Sequence, residues 1–226
     1  MTLFVSKDQV MICVVDGADA TRFPALFNAA QHLCNATQIV GGRRPSRYSA
    51  DVRSRFRRID RRRAVHHFCI EEGKVTGYQC MMPTLGPTLL GQVFPGLCEG
   101  APPRAADVYE LAIHSIFDGW PDGQRAFSKT GTKLIAGCLE WGLAHGINKI
   151  IIEAETYWIL PALQLGFEVR PLGQEQTIGS YSLLAAELGF NARTLDAVRN
   201  YRGDHARVTH FYGLLAETQG NAAYAN

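Results

Sequence analysis

Apolar positions along the chain repeat with two different periods, and the alternation between them sets out a series of elements. MICVV (11–15) is an unbroken apolar run of strand length. RFPALFNAAQHLCNA (22–36) instead spaces Phe23, Leu26, Phe27, Ala30, Leu33 and Cys34 as one face of a helix. GGRRPSRYSA (41–50) reads as a loop from its Gly, Pro and Ser content. AVHHFCIEEGKVTGYQCMMP predicts a hairpin, with strands over 64–71 and 75–82 and a turn at Glu72-Gly73-Lys74. DVYELAIHSI (107–116) is the next strand, and SKTGTKLIAGCLEWGLAHG (128–146) an amphipathic helix ending at Gly146. NKIIIEAE (148–155) is apolar enough for the centre of a sheet. A short, Pro-interrupted helix follows (156–166), then strands at FEVRPLG (167–173) and SYSLLAAELG, and a last helix around ARTLDAVRNYR.

This mixture of strand and helix favours an α/β layered domain over a bundle or a sandwich. At 226 residues and 46% hydrophobic, the chain suits one core-bearing domain, with residues from about 191 to 226 as a C-terminal extension. No apolar run approaches the roughly 18–20 residues of a membrane helix, and MTLFVSKDQVMICVV lacks the layout of a secretory signal. The six cysteines are scattered without metal-ligand or Cys-x-x-Cys spacing, which points to reduced core thiols, a cytoplasmic location and no metal.

Net charge is only +2, yet VRSRFRRIDRRR (52–63) packs seven arginines around the single Asp60. Such a block is either a solvated arm or a patch for an acidic partner, a phosphate-bearing ligand or an acidic carrier protein. No aromatic platform, helix-turn-helix pattern or zinc spacing supports nucleic acid.

Candidate chemistry centres on two stretches. GYQCMMPTLGPTLLGQVFPGL leaves a strand, breaks on Pro83, Gly86 and Pro87, runs apolar again and stops at Phe94-Pro95; YELAIHSI then places one carboxylate, Glu110, near the start of a strand. The break would turn the chain so that Phe94 and Glu110 line one cavity. Ser128, Lys129, Thr130 and Gly131 open the 128–146 helix, where unpaired N–H groups suit an anion; an ordinary Ser/Thr cap is the competing reading. His66 and His67 must point to opposite faces of their strand, and period two sets His114 on the side of Glu110 as a second candidate base.

The order strand, helix, strand 148–155, short helix, strand matches the GNAT layout, in which acyl carriers enter between two diverging central strands. Within it, IDRRRAVHHFCIEEGKVTGYQCMMPTLGPTLLGQVFPGLCEGAPP (59–103) resembles the acyl-homoserine-lactone synthases. Their pattern sets an acid before a strand, then a strand ending in Arg-Leu-Leu-Pro-Thr, a Gly-Pro turn and an apolar run to Phe-Pro. Tyr109-Glu110-Leu111 falls where they write Trp-Glu-Leu-Ser-Arg. The resemblance covers residues 22–190 and is specific over 59–111.

It implies a GNAT-like central mixed sheet flanked by helices. It also implies an acyltransferase that joins an acyl group from acyl carrier protein or acyl-CoA to the amine of S-adenosylmethionine, in autoinducer synthesis for quorum sensing. No cofactor is required. Glu110 would accept or relay the amine proton, Asp60 would bind the ammonium or sulfonium, and Phe94 would lie beside the adenosyl group. A salt-bridged strand residue, pairing with neighbouring arginines, and core packing are the respective competing readings. Backbone N–H groups where strand 107–116 splays would hold the oxyanion.

The chain departs from the pattern at three substrate-binding positions. Cys80 and Ile113 stand where the relatives carry arginines, and Arg57 stands where they carry an acid. A diverged enzyme with another amine acceptor, or a non-catalytic acyl-ligand or partner-binding homologue, is the alternative. The whole reading requires a wedge between two mid-sheet strands with the Glu110 carboxyl inside it.

Overall fold

The computed structural model describes residues 11–40, 54–55, 60–116, 128–179 and 181–216. Its centre is a nine-stranded mixed sheet. Strands β1 (Met11–Asp16), β2 (Val65–Glu71), β3 (Lys74–Pro83), β4 (Val108–Ile116), β5 (Lys149–Ala154), β6 (Glu168–Pro171), β8 (Tyr181–Gly189) and β9 (Thr209–Tyr212) lie in the order β6-β8-β5-β4-β3-β2-β1-β9, and β7 (Gln176–Ile178) pairs with β8. The hairpin turns where expected, with Glu72 and Gly73 at φ of 49° and 74°; glycine takes up the second left-handed position without strain.

Each face of the sheet is covered by elements whose apolar stripe the sequence displays. On one face α3 (Lys129–Ala144) and α5 (Ala192–Arg202) bury Leu134, Leu139, Trp141, Leu195 and Val198. Gly77 on β3 permits this approach: a Cβ there would lie 2.8 Å from both Thr130 and Leu134. On the other face α1 (Pro24–Val40) lays Leu26, Ala30, Leu33 and Cys34 over β1–β3. Beside it, the 84–105 segment seals β4, β5 and β8 with Leu89, Leu90, Phe94 and Leu97. His66 and His67 divide between the two faces as expected, against Phe27 and Trp141 respectively.

Several elements differ from what the sequence predicts, β7 among them. A one-turn helix, α2 (Leu89–Gln92), interrupts the apolar run before Phe94. The expected helix at 156–166 divides into a 3-10 turn (Thr156–Trp158) and the short α4 (Ile159–Gln164). The C-terminal residues contribute β9, an unexpected strand that pairs parallel with β1, while the expected last helix, α5, packs on α3. Glu140 fastens this end: its buried carboxylate accepts N–H bonds from Val208 and Thr209 (both 3.0 Å), the Thr209 hydroxyl (2.9 Å) and Arg199 Nη2 (3.0 Å).

Candidate active site

β4 and β5 are parallel neighbours at mid-sheet, but their ladder holds only three pairs, Val108–Lys149, Tyr109–Ile150 and Glu110–Ile151. Beyond Glu110, β4 continues to Ile116 paired with β3, while β5 continues to Ala154 paired with β8. The two strands therefore part, and Glu110 stands at the point of parting.

A bulge accompanies the parting. Cys80 pairs with Ile113 and Met81 with Leu111, so Ala112 is an extra residue on β4. An added residue reverses the alternation of side chains beyond it. Glu110, Ile113 and Ser115 consequently share one face, and Leu111, His114 and Ile116 the other. Ser115 accordingly meets Cys34 of α1, and His114 meets Gln79 (3.3 Å), whose amide donates to the Leu134 carbonyl of α3. The expectation that His114 lies beside Glu110 is thus corrected, because simple period two fails at Ala112.

Glu110 is fully buried. Its carboxylate accepts the Leu89 and Leu90 N–H groups at 2.6 and 2.8 Å, which ties the start of α2 to β4. Thr88, the residue preceding α2, accepts the Gly91 N–H through Oγ1 and also hydrogen-bonds Glu110. Thr84 anchors the entry to the segment through the Ala105 and Val108 carbonyls (3.1 and 2.9 Å). The break at Pro83–Pro87 therefore delivers two unpaired helix-start donors onto a buried acid. Phe94 follows directly and is buried with Leu90, Val108 and Ile151, so it joins the wall of the same region.

A second acid, which the sequence reading passed over, lies beside Glu110. Glu153 is two residues beyond Ile151, on the same face of β5, and its side chain hydrogen-bonds Glu110. Its Oε1 is enclosed with no hydrogen-bond partner among the described residues. Burial first, and then the negative charge of Glu110, push Glu153 well above the usual carboxylate range. Glu110 is also raised by burial, though the N–H groups of Leu90 and Leu89 hold it back. The signal for Glu153 was present: a carboxylate inside IIIEAE, a run otherwise apolar enough for a sheet centre.

The remaining candidates distribute around this pair. Cys80 is fully buried beneath α1, its thiol pushed up to about 12 by burial; the Arg61 charge pulls it back. Ile113 packs into the same cluster. Arg61 is half-buried and acts on Cys34, Tyr78 and Cys80, so the arginine block does send one guanidinium toward the position of a missing arginine. Asp60 is exposed and held by Arg62 at 2.8–3.2 Å, which with the Arg62 N–H brings its carboxyl down to about 2. Ser128 caps α3 by accepting the Gly131 N–H at 3.0 Å, with Thr130 and Gly131 buried and Lys129 exposed. Arg57 lies outside the described residues. No group of three or more potential metal ligands occurs among the described residues, and no helix there is long and apolar enough to cross a membrane.

No protein-family model matches the sequence. The chain is 26% identical over 141 residues to an isovaleryl-homoserine lactone synthase of Bradyrhizobium diazoefficiens, covering 62% of each protein. It is 25% identical over 132 residues to an acyl-homoserine-lactone synthase of Agrobacterium fabrum, covering 57% of this chain and 62% of that one. The match thus spans about three-fifths of the length of these relatives. In fold it resembles a CoA-dependent acyl-homoserine lactone synthase, BjaI, solved with SAM and isopentyl-CoA; the TM-score is 0.74 at 21% identity, over 95% of this chain and 100% of that one. A second CoA-dependent acyl-homoserine lactone synthase, MesI, gives 0.69 at 23% identity, over 88% and 98%. The expected GNAT-like α/β architecture and the resemblance to these synthases are both borne out.

Proposed function

We propose that the chain is an acyltransferase of the acyl-homoserine-lactone synthase type. It joins the acyl group of a carrier thioester to the amine of S-adenosylmethionine, after which the methionine carboxylate displaces methylthioadenosine and closes the lactone. The observation that carries this reading is the wedge between β4 and β5 with the buried Glu110 at its apex. Sequence similarity to lactone synthases supports it.

The amine nitrogen must reach the thioester carbonyl without its extra proton, and an acid at the apex can receive that proton. Glu110 fills this role, and Phe94 packs beside the adenosyl group. The α3 start, with Ser128, Lys129, Thr130 and Gly131, faces the phosphates of the acyl carrier. Arg61 supplies the guanidinium that Cys80 cannot, for the substrate carboxylate. Asp60 binds the acceptor cation only by exchanging it for Arg62. A relative solved with isopentyl-CoA favours acyl-CoA over acyl carrier protein as donor.

The neutral residues Cys80 and Ile113 favour one second reading, acylation of an amine other than S-adenosylmethionine on the same site. To separate the two, the purified protein is incubated with S-adenosylmethionine and either acyl-CoA or acyl carrier protein thioesters, and products are read by mass spectrometry. Acyl-homoserine lactone together with methylthioadenosine supports the first reading. Thioester consumption without lactone supports the second, and no consumption with either donor overturns both.

A further inference from the structure

The two acids at the apex are more informative together than apart. Glu110 already accepts two backbone N–H bonds, and Thr88 hydrogen-bonds it as well. Among the described residues, Glu153 meets the Glu110 side chain and its own backbone N–H, and its Oε1 is enclosed without a partner. Two ionised carboxylates at hydrogen-bond distance in a buried site repel strongly, so such a pair holds one proton between them. Among the described residues, no cation is among the main influences on either acid, and the Arg61 charge falls on Cys80. On β3, Cys80 faces Glu110 as a neutral thiol, and Ile113 on β4 is apolar. The proton resides on Glu153, because Glu110 accepts two backbone N–H groups from α2 and is bonded by Thr88, whereas Glu153 has a single backbone N–H, its own, to stabilise an anion.

We propose that Glu153 is a positioning residue for the acyl transfer: as a neutral acid it donates its O–H to Glu110, keeping a single negative charge at the apex, and the pair as a unit takes up the proton of the acceptor amine. This rests on the reading of the site given under Proposed function. The bound ammonium passes one proton to the pair, which goes from one negative charge to none. The nitrogen lone pair then attacks the thioester carbonyl, the C–S bond breaks, and the thiolate leaves. The second proton lost by nitrogen ends on that sulfur, and the pair returns its proton to solvent.

The test uses the full chain and the variants Glu153→Gln, Glu153→Leu and Glu110→Gln. Gln keeps the shape and a donor but does not ionise; Leu keeps neither. Infrared difference spectra of the unliganded protein across pH are expected to show one protonated carboxyl group at neutral pH. That signal disappears in Glu153→Gln, and its titration midpoint moves to lower pH in Glu110→Gln. Absence of the signal in the wild type, its survival in Glu153→Gln, or an unmoved midpoint in Glu110→Gln overturns the pair. In lactone synthesis, Glu153→Leu is expected to move the acid limb of kcat/KM upward by about one to two pH units, the loss of one charge-assisted hydrogen bond. Glu153→Gln rescues the limb. Equal limbs in both variants overturn the positioning role. A wild type that makes no lactone overturns the reading of the reaction, while the infrared titration still decides the pair on its own.

Discussion

Replacing Glu110 by alanine tests how the wall of the candidate site is held. The side chain supplies the acceptor for two buried N–H groups, those of Leu89 and Leu90, from a residue about twenty positions further along the chain. A buried donor left without an acceptor costs about 1–3 kcal/mol. Glu110→Ala strands both, so the expected loss is about 2–6 kcal/mol, partly offset because the burial penalty of the carboxyl group goes with it. Glu110→Gln keeps one acceptor oxygen and turns an NH2 toward the second donor, so about half that loss is expected. Against a typical total of about 5–15 kcal/mol, either change is large. At about 2–4 °C per kcal/mol for a chain of this size, urea and thermal unfolding resolve the order wild type, Gln, Ala. Loss of activity alone would not distinguish a proton acceptor from a wall anchor; unfolding does. If Glu110→Ala unfolds within about 0.5 kcal/mol of the wild type, Glu110 does not hold α2 and the geometry argued above for the site is wrong.

Three other outcomes follow from named contacts. Glu140→Ala leaves the Val208 and Thr209 N–H groups and Arg199 without their acceptor, so a loss of about 3–5 kcal/mol is expected; amide exchange should rise first at Val208–Tyr212, and unchanged protection there would sink the idea. Burial brings His67 down to about 3 and His66 to about 4, below the ordinary value of about 6.5. Both histidines are therefore neutral in the fold, and the stability they permit is complete above that ordinary value and is lost as pH falls toward the lowered ones. His67→Leu should flatten the slope by about 2–3 kcal/mol between about pH 6.5 and 4.5, at about 1.4 kcal/mol per unit; parallel slopes in calorimetry would refute this. Arg61→Ala should weaken S-adenosylmethionine binding by about tenfold or more, the value of one charge-assisted hydrogen bond, measured by isothermal titration; undiminished affinity would remove Arg61 from the site.

Much of this architecture was legible because local pattern and tertiary demand agree. MICVV, the Glu72-Gly73 hairpin and the apolar 148–155 run each form the expected strand, and the apolar stripe from Phe23 to Cys34 becomes the buried face of α1. Other features depend on residues distant in sequence. PTLLGQ contains a glycine and is too short to form a helix unaided, and its one turn exists because Glu110 caps it from a neighbouring strand. THFY is a four-residue edge strand held by Glu140 from α3. The bulge at Ala112 leaves no mark in composition, yet it moves His114 from one face of the sheet to the other.

Glu153 shows why the site itself was the hardest part to read. A lone carboxylate in an apolar strand is ambiguous in sequence, because its cost depends on what stands across the gap. The parallel ladder ends at Glu110 and Ile151, and this alone allows the next inward residue of β5 to approach Glu110 where another ladder pair would otherwise lie. The parting proposed to admit a thioester is therefore the same parting that brings two acids together. Closing the ladder by more pairs would shut the proposed entry, and it would fix Glu153 as a diagonal neighbour of Glu110 on the same face.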